Sequence, residues 1–261
     1  LINQKICIFF HNDPTQMKGS KTIQERLILL EKSKMIYCVS EFVKKKFLEG
    51  IKGKFQNIKV LYNGVERLTK KFPTKIKEVI FVGRLVPEKG VQLYIGSIKK
   101  IAPHFPSWKF SIIGSPYLGS YNKDTDFAKN QTLKFKEIGK QAEFTGFLSP
   151  SEVHKRMKHA SIIVIPSLWD EPYGLVAAEA MANGIAIVAS NVGGIPEIIE
   201  GSAILIKDIN EEKIVATLKK MMSNNLTISK YQNLAWKNFK HSSLFSSRKL
   251  DNYRKELLDK I

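Results

Sequence analysis

Residues 162–184 read IIVIPSLWDEPYGLVAAEAMANG, and this stretch decides the fold. Its first five residues are an apolar run too short for a helix, which predicts a buried strand. Pro172 and Gly174 then break the chain, residues 175–183 favour a helix, and Gly184 is a C-terminal cap signal. A strand, a tight turn and a helix in this order direct free amide groups and the positive end of the helix dipole towards the carboxyl end of the strand. The arrangement predicts a binding site for a diphosphate.

Two carboxylates belong to this stretch. Glu171 lies in the turn, and Glu179 lies within the predicted helix among Ala, Val and Met residues. An ionised carboxylate is repelled by phosphate but accepts hydrogen bonds from sugar hydroxyls. We therefore predict that Glu179 binds ribose hydroxyls and that Glu171 binds hydroxyls of a sugar to be transferred. The alternative is that Glu171 caps the helix and Glu179 is a surface residue, and the pattern alone fits it equally well.

The two glutamates also carry a family resemblance. Glu171, seven intervening residues and Glu179, with PYGL between them, resemble the E-x7-E signature of the retaining family 4 glycosyltransferases of the GT-B fold. Residues 183–197, NGIAIVASNVGGIPE, are similar to the same family. The resemblance implies an α/β protein with two Rossmann-like domains that have parallel sheets. It also implies that the first domain is incomplete, because the family's opening strand and glycine-rich loop have no counterpart here.

Residues 81–90, FVGRLVPEKG, form a second glycine loop. Gly83 permits close approach of the backbone to a ligand, and Arg84 and Lys89 suit phosphate oxygens. In isolation, a loop with two surface cations is the favoured interpretation. The resemblance places the family's phosphate-binding arginine and lysine at these positions. Both would then stabilise the departing diphosphate, which gains negative charge in the transition state.

The resemblance extends the predicted site to further residues. It implies that His11 faces the donor sugar, although a lone histidine is more often structural, and that the backbone at residues 145–147 contacts the base, although this signal is weak. The glycine turn at residues 193–194 either approaches the phosphates or only connects a strand to a helix. The predicted catalytic residues are Glu171, Arg84, Lys89 and His11. The predicted nucleotide-binding residues are Glu179, Gly174, Leu175, Val176, Phe147 and Gly83.

The implied reaction transfers a hexose or N-acetylhexosamine from a nucleoside-diphosphate sugar to a hydroxyl acceptor, with retention of configuration. No cofactor and no metal ion are expected. The loop at residues 114–121 resembles lipopolysaccharide-core and spore-coat members, which favours a cell-envelope glycan or glycolipid as acceptor. We expect a cytoplasmic location, with peripheral association at the inner membrane face. Because half of the family's first domain has no counterpart, we expect weak or absent transfer by this chain alone.

Composition and charge limit the choice of partners. The chain has 261 residues, 43% of them hydrophobic, and a formal net charge of +18. Residues 1–77 hold 17 Lys and Arg against 6 Asp and Glu, and residues 230–261 hold 8 against 3, so the basic excess lies at the two ends. This distribution favours either an anionic membrane surface or acidic acceptor, or nucleic acid. We expect no nucleic acid, because the sequence shows neither alternating basic and aromatic residues nor a helix-turn-helix pattern.

Strand and helix patterns alternate along the chain, which predicts parallel α/β architecture. We predict a partial first domain over residues 1–77, ending in a polar linker from residue 66. A doubly wound second domain is predicted over residues 78–229. Residues 227–261 are predicted to be helical throughout, and the helices from residue 230 are expected to cross back to the first domain.

Other features have plainer interpretations. Cys7 and Cys38 lie in apolar runs and are expected to be buried free thiols. The lysines at residues 44–46, with Phe42 and Phe47, indicate either an interfacial patch or a solvated helix face. The other four histidines are predicted to be surface residues: His104, His154, His159 and His241.

Two other classes of protein remain alternatives. The first is a non-catalytic GT-B protein that binds a sugar nucleotide, and the second is the nucleic-acid-binding protein that charge alone suggests. A dehydrogenase is disfavoured, because no GxGxxG sequence follows a predicted strand.

Overall fold

The computed structural model describes residues 6–116 and 125–258, with side chains through residue 256. A three-stranded sheet comes first in the chain and a six-stranded sheet second. All strand pairs within both sheets are parallel. The predicted α/β class with parallel sheets is therefore confirmed.

The first unit contains the small sheet and its two helices. Thr22 and Glu25 form a capping box at the start of its first helix, and the Ser40 hydroxyl accepts the Val43 amide at the start of its second. The strands lie in the order β1-β2-β3. The elements are β1 (Cys7–Phe10), α1 (Ile23–Lys32), β2 (Met35–Cys38), α2 (Glu41–Leu48) and β3 (Ile58–Val60).

The second unit is a doubly wound sheet. Its strands are β4 (Ile76–Val82), β5 (Lys109–Ile113), β6 (Ala142–Gly146), β7 (Ala160–Ile165), β8 (Ala186–Ser190) and β9 (Ala203–Ile206). Its helices are α3 (Val91–Ile101), α4 (Asp126–Lys136), α5 (Pro150–His159), α6 (Leu175–Ala182), α7 (Ile195–Ile199) and α8 (Glu211–Met222). Strand β4 begins at Ile76, inside the predicted linker.

The strand order of this sheet is β6-β5-β4-β7-β8-β9. The chain adds strands in one direction from β4 to β6, and then returns to the centre and adds β7 to β9 in the other direction. The neighbours β4 and β7 therefore form a topological switch point. In open α/β sheets, ligands bind outside the carboxyl ends of the strands at such a point.

Helix α6 is buried between the two units, which explains why its sequence is apolar around most of its circumference. Ala177, Ala180 and Met181 pack in a core cluster with the second sheet. Ala178 and Ala182 instead pack in the cluster that contains the buried side chains of the first sheet. The two units therefore share a hydrophobic interface at α6.

The C-terminal region corrects one prediction. Residues 227–261 were predicted to be helical throughout, but the described part forms two separate helices, α9 (Asn225–Asn238) and α10 (Ser243–Leu258). Between them, the His241 carbonyl accepts the Val65 amide at 2.9 Å, and Ser242 forms a bridge with Val65. This backbone pairing between distant parts of the chain ends α9, and local helix propensity cannot reveal it. Helix α10 then contacts the first unit, where the Tyr253 hydroxyl donates to the Val60 carbonyl at 3.2 Å.

Three other predictions need correction. Cys7 is exposed on the edge strand β1, whereas Cys38 is buried as predicted, and burial raises the pKa of the Cys38 thiol to about 12. His241 is only 1% exposed, so it is not a surface residue. Phe47 is fully buried in the core of the first unit, so it cannot contribute to an interfacial patch.

Part of the loop predicted at residues 114–122 lies outside the described residues. None of the helices within residues 6–116 and 125–258 combines the length and the apolar character that a bilayer crossing requires.

Candidate functional site

A cavity of about 110 Å³ lies at the switch point. Its walls come from the residues that follow β4 and from those that follow β7, as the strand order predicts. Six residues that were predicted to form the site line this cavity: Gly83, Lys89, Glu171, Gly174, Leu175 and Val176. The structure therefore places residues of both predicted phosphate-binding loops around one cavity.

Glu171 is the central polar group of this cavity. It is 8% exposed, and its Oε1 accepts hydrogen bonds from Lys89 Nζ at 2.6 Å and from Ser167 Oγ at 2.7 Å. The alternative interpretation, that Glu171 caps the helix, is excluded, because Gly174 occupies the N-cap position without a side-chain hydrogen bond. A buried carboxylate with a lysine and a hydroxyl is an ordered polar network that a ligand can join.

Two residues of this network were not predicted. Ser167 lies two residues after the end of β7 and four residues before Glu171. This spacing is the sequence signal that could have identified it. The indole ring of Trp169 lies 5.3 Å from Lys89 Nζ, which is a cation–π distance, and this side chain stays 37% exposed. Lys89 is therefore held from two sides.

Helix α6 points its N-terminus into the cavity. Gly174 has φ of +92°, a conformation that residues with a Cβ rarely adopt, and this turn lets α6 begin directly after it. The amides of Leu175 and Val176 lie in the first turn, where no helical carbonyl precedes them to accept a hydrogen bond. The cavity therefore combines one ammonium group with free amides at the positive end of a helix dipole, which is a favourable environment for an anion.

The second glycine turn supports the first. The Gly194 amide donates to the Glu171 carbonyl at 2.7 Å, and the Gly193 amide donates to Asp170 Oδ1 at 3.1 Å. A Cβ at position 193 would lie 2.2 Å from the Glu171 carbonyl oxygen. This turn therefore packs against the backbone of Glu171 and fixes its position.

Glu179 lies one helical turn beyond the cavity, on the face of α6 that also carries Leu175 and Val176. Its side chain is partly buried and makes no hydrogen bond with the described part of the chain. Burial without a partner raises the pKa of this carboxyl from 4.5 to about 7. Such a group gains stabilisation from any hydrogen-bond donor that a ligand brings.

The other predicted residues lie apart from the cavity. Arg84 is exposed and makes no ion pair within the described residues. Phe147 follows β6 at the same edge of the sheet, is 50% exposed and does not line the cavity. His11 lines a separate cavity of about 400 Å³ in the first unit, together with Tyr62 and residues of α10 such as Ser246.

Five hydrogen bonds that the sequence did not predict join the site to the first unit. The Ser40 hydroxyl donates to the Pro172 carbonyl, and the Tyr173 hydroxyl donates to the Asn63 carbonyl at 2.8 Å. Glu197 of α7 accepts the amide of Glu41 at 2.9 Å, at the N-terminus of α2. The amide of the next residue and the hydroxyl of Tyr62 also donate to Glu197. The turn that carries Glu171 is thus fixed from both units.

Within residues 6–116 and 125–256, no group of three His, Cys, Asp or Glu side chains is arranged to hold a metal ion.

The chain is similar to known proteins in sequence and in fold. A sequence profile of the family described as glycosyl transferases group 1 matches residues 65–240. A lipopolysaccharide 1,2-N-acetylglucosaminetransferase of Salmonella typhimurium is 31% identical over 121 residues, which are 46% of this chain and 32% of that protein. A putative glycosyltransferase of Bacillus subtilis, YtcC, is 29% identical over 218 residues, which are 76% of this chain and 53% of that protein. The chain thus spans between a third and about half of these two relatives.

Solved structures show the same fold at low identity. The Anabaena protein Alr3699/HepE in complex with UDP superposes with a TM-score of 0.79 at 17% identity, over 97% of this chain and 72% of that chain. Staphylococcus aureus TarM superposes with a TM-score of 0.72 at 19% identity, over 95% of this chain and 50% of that chain.

Proposed function

This chain belongs to the group 1 glycosyltransferase family and has the GT-B fold, and we propose that it binds a nucleoside-diphosphate sugar and transfers the sugar to a hydroxyl acceptor. One observation carries the proposal: Lys89, Glu171 and the free amides of α6 converge on a single cavity at the switch point. The diphosphate of a donor is bound by cations and amides, which Lys89 and α6 provide. The attached sugar needs a hydrogen-bond acceptor, which Glu171 provides.

Donor binding must change the contact between Lys89 and Glu171. The cavity of about 110 Å³ is smaller than the roughly 300–1,000 Å³ of typical ligand sites, and the ion pair forms part of its wall. We propose that the diphosphate attracts Lys89 Nζ, and that Glu171 Oε1 then accepts hydroxyls of the transferred sugar. Arg84, which is exposed close to Gly83, is proposed to add a second cation to the diphosphate.

In the proposed reaction, the bond between the anomeric carbon and the diphosphate oxygen breaks, and the acceptor oxygen bonds to that carbon. The acceptor proton passes to the departing diphosphate, and Lys89 with the α6 amides compensates the charge that develops there. We propose retention of configuration, as in the family 4 enzymes that the E-x7-E pattern resembles. The proposed scheme places the charge compensation on protein groups and requires no cofactor and no metal ion.

The remaining predicted residues have proposed roles around this centre. Glu179 binds the ribose hydroxyls, the backbone beside Phe147 contacts the base, and His11 positions the sugar or the acceptor hydroxyl. We propose a second domain over residues 78–229 that holds the donor, and an acceptor side formed by residues 1–77 and the helices from residue 230.

A hexose or N-acetylhexosamine donor and a cell-envelope glycan or glycolipid acceptor are the proposed substrates. The relative named as a lipopolysaccharide N-acetylglucosaminetransferase supports this choice. The basic excess at both chain ends supports a cytoplasmic protein at the inner membrane face. The protein should then bind anionic vesicles at low salt and dissociate at high salt, and absence of binding at low salt would remove the membrane proposal.

Substitution of Glu171 tests the central proposal. Heat protection by UDP, GDP and ADP first identifies the base, and the matching nucleotide sugars then identify the donor. In Glu171→Gln, turnover should fall by roughly 100-fold or more, because the transition state loses a charged contact to the sugar. Glu88→Gln is the matched control, because Glu88 is exposed in the adjacent loop and does not line the cavity.

The same pair of variants separates the proposed enzyme from a non-catalytic binder. In an enzyme, Glu171→Gln lowers turnover, whereas in a binder it lowers mainly the affinity for the nucleotide sugar. The anomeric proton signal of the product in NMR tests retention. If no nucleotide or nucleotide sugar protects the chain against heat, the proposed function is wrong.

A further inference from the structure

A second cavity lies beside the switch-point cavity, between α2 of the first unit and the turn that carries Glu171. Its volume is about 580 Å³, within the usual range for a small-ligand site. It is lined by Phe42, Lys45, Lys46, Leu48, Glu49 and Asp170. None of these residues belongs to the proposed donor site.

The two cavities share one piece of backbone. Asp170 lines the larger cavity, and the next residue, Glu171, lines the smaller one. Adjacent Cα atoms are about 3.8 Å apart, so the walls of the two cavities meet at these two residues. A molecule in the larger cavity is therefore close to the sugar that Glu171 is proposed to bind.

The opposite wall is held in place relative to this peptide. Glu197 accepts the amides of Glu41 and Phe42 at 2.9 and 3.1 Å, which fixes the start of α2 to the second unit. Asp170 is fixed by the hydrogen bond from the Gly193 amide to its Oδ1. The backbone of α2 and the side chain of Asp170, which both line this cavity, are therefore held in place by hydrogen bonds to the second unit.

The charges on these walls are not all compensated within the protein. Lys46 forms an ion pair with Glu49 at 3.5 Å. Lys45 has no carboxylate partner within the described residues, and the second oxygen of Asp170 is free to accept a hydrogen bond there. Phe42 and Leu48 add apolar surface against which a sugar ring can pack. The walls therefore offer one free cation, one hydroxyl acceptor and an apolar surface.

We propose that this cavity binds the acceptor, and that the acceptor is a sugar that carries an anionic group, either a phosphate or a carboxylate. Lys45 binds the anionic group, and Asp170 accepts a hydroxyl of the same sugar. This inference rests on the proposed function, because it assigns the acceptor of that reaction. It narrows the acceptor from glycans in general to acidic ones.

Binding of small acidic sugars to the full chain, saturated with its nucleotide, tests this inference. The probes are methyl β-D-glucuronide for the carboxylate and glucose 6-phosphate for the phosphate, with methyl β-D-glucoside as the uncharged sugar. At least one acidic sugar should bind about tenfold or more tightly than methyl glucoside. Lys45→Ala should weaken this binding about fivefold, as expected for loss of one exposed charge contact, and should leave methyl glucoside binding unchanged.

Lys44→Ala is the matched control. Lys44 is the neighbouring lysine of the same helix and does not line the cavity. Its Nζ lies 4.0 Å from Glu41 Oε2. The control removes the same charge and should change the affinity by less than twofold. Equal effects of the two substitutions would show that only the general charge of α2 matters, and would overturn the inference.

Two further outcomes also overturn it. If inorganic phosphate binds as tightly as glucose 6-phosphate, the cavity recognises the ion and not the acceptor. If nucleotides protect the chain against heat but neither acidic sugar binds, the donor site stands and the acceptor assignment fails. If nucleotides do not protect the unsubstituted chain against heat, both the proposed function and this inference are wrong.

Discussion

Glu179→Gln should make the protein more stable at neutral and alkaline pH. Burial raises the pKa of Glu179 from 4.5 to about 7, so the folded protein retains this proton at pH values where the unfolded chain has lost it. The stability contributed by the neutral carboxyl is complete below pH 4.5 and is lost as pH rises through 7. A shift of this size corresponds to about 3 kcal/mol of unfolding free energy above pH 7. Glutamine has nearly the same shape and cannot ionise, so the variant avoids this loss.

Urea denaturation at pH 5 and at pH 8 measures the effect. The difference in unfolding free energy between Glu179→Gln and the unsubstituted protein should be small at pH 5 and should reach about 2–3 kcal/mol at pH 8. Glu31→Gln is the control, because Glu31 is exposed and should give the same small difference at both pH values. A Glu179→Gln protein that is equally or less stable than the unsubstituted protein at pH 8 would refute the reasoning, because the ionised carboxylate would then have adequate partners.

Two other predictions concern residues around the site. Burial lowers the pKa of His241 from 6.5 to about 4, so the stability from neutral His241 is complete above pH 6.5 and is lost as pH falls towards 4. His241→Phe should therefore remove about 3 kcal/mol of acid destabilisation in denaturation at pH 4.5 relative to pH 7.5, and an equal acid loss in both proteins would contradict this. Gly193→Ala should destabilise the fold by roughly 3 kcal/mol or more and weaken nucleotide binding, because φ is +55° and the Cβ would lie 2.2 Å from the Glu171 carbonyl oxygen. Gly139→Ala is the control, because φ is positive there as well, at +81°, but the space around the Cβ is open, and it should lower the unfolding free energy by only about 1 kcal/mol. Calorimetry measures both variants, and similar losses of unfolding free energy would exclude the contact with Glu171.

The parts of the fold that depend on local pattern could be predicted from the sequence. The strand at residues 162–166 and the helix that follows Gly174 were visible because apolar runs, Pro and Gly have strong local preferences. A site at the carboxyl end of this strand could be predicted for the same reason, but the switch point could not, because it depends on the order of the strands in the sheet. The pairing of Lys89 with Glu171 was not predicted, because 82 residues separate them and the sequence does not specify which cation faces which acid.

The residues whose burial or helical state was predicted wrongly are determined by tertiary contacts. His241 appeared to be a surface residue because polar residues surround it in sequence, yet its ring contacts Tyr62 and Tyr173 from distant parts of the chain. Cys7 lies in an apolar run, but its strand is at the edge of the first sheet and leaves the thiol exposed. The break between α9 and α10 follows from backbone pairing with Val65, which no local pattern records.

The hydrogen bonds of Ser40, Tyr173 and Glu197 across the two units affect how this protein can be recombined with its relatives. A chimera that keeps residues 65–258 and takes its first unit from another family member would retain every residue around the switch-point cavity. It would nevertheless lose the hydroxyl at position 40 and the helix start that faces Glu197, unless the other family member supplied equivalent groups. The turn that carries Glu171 would then be supported from one side only. Successful grafts should therefore be those whose new first unit has a hydroxyl residue at the N-cap of the helix that replaces α2.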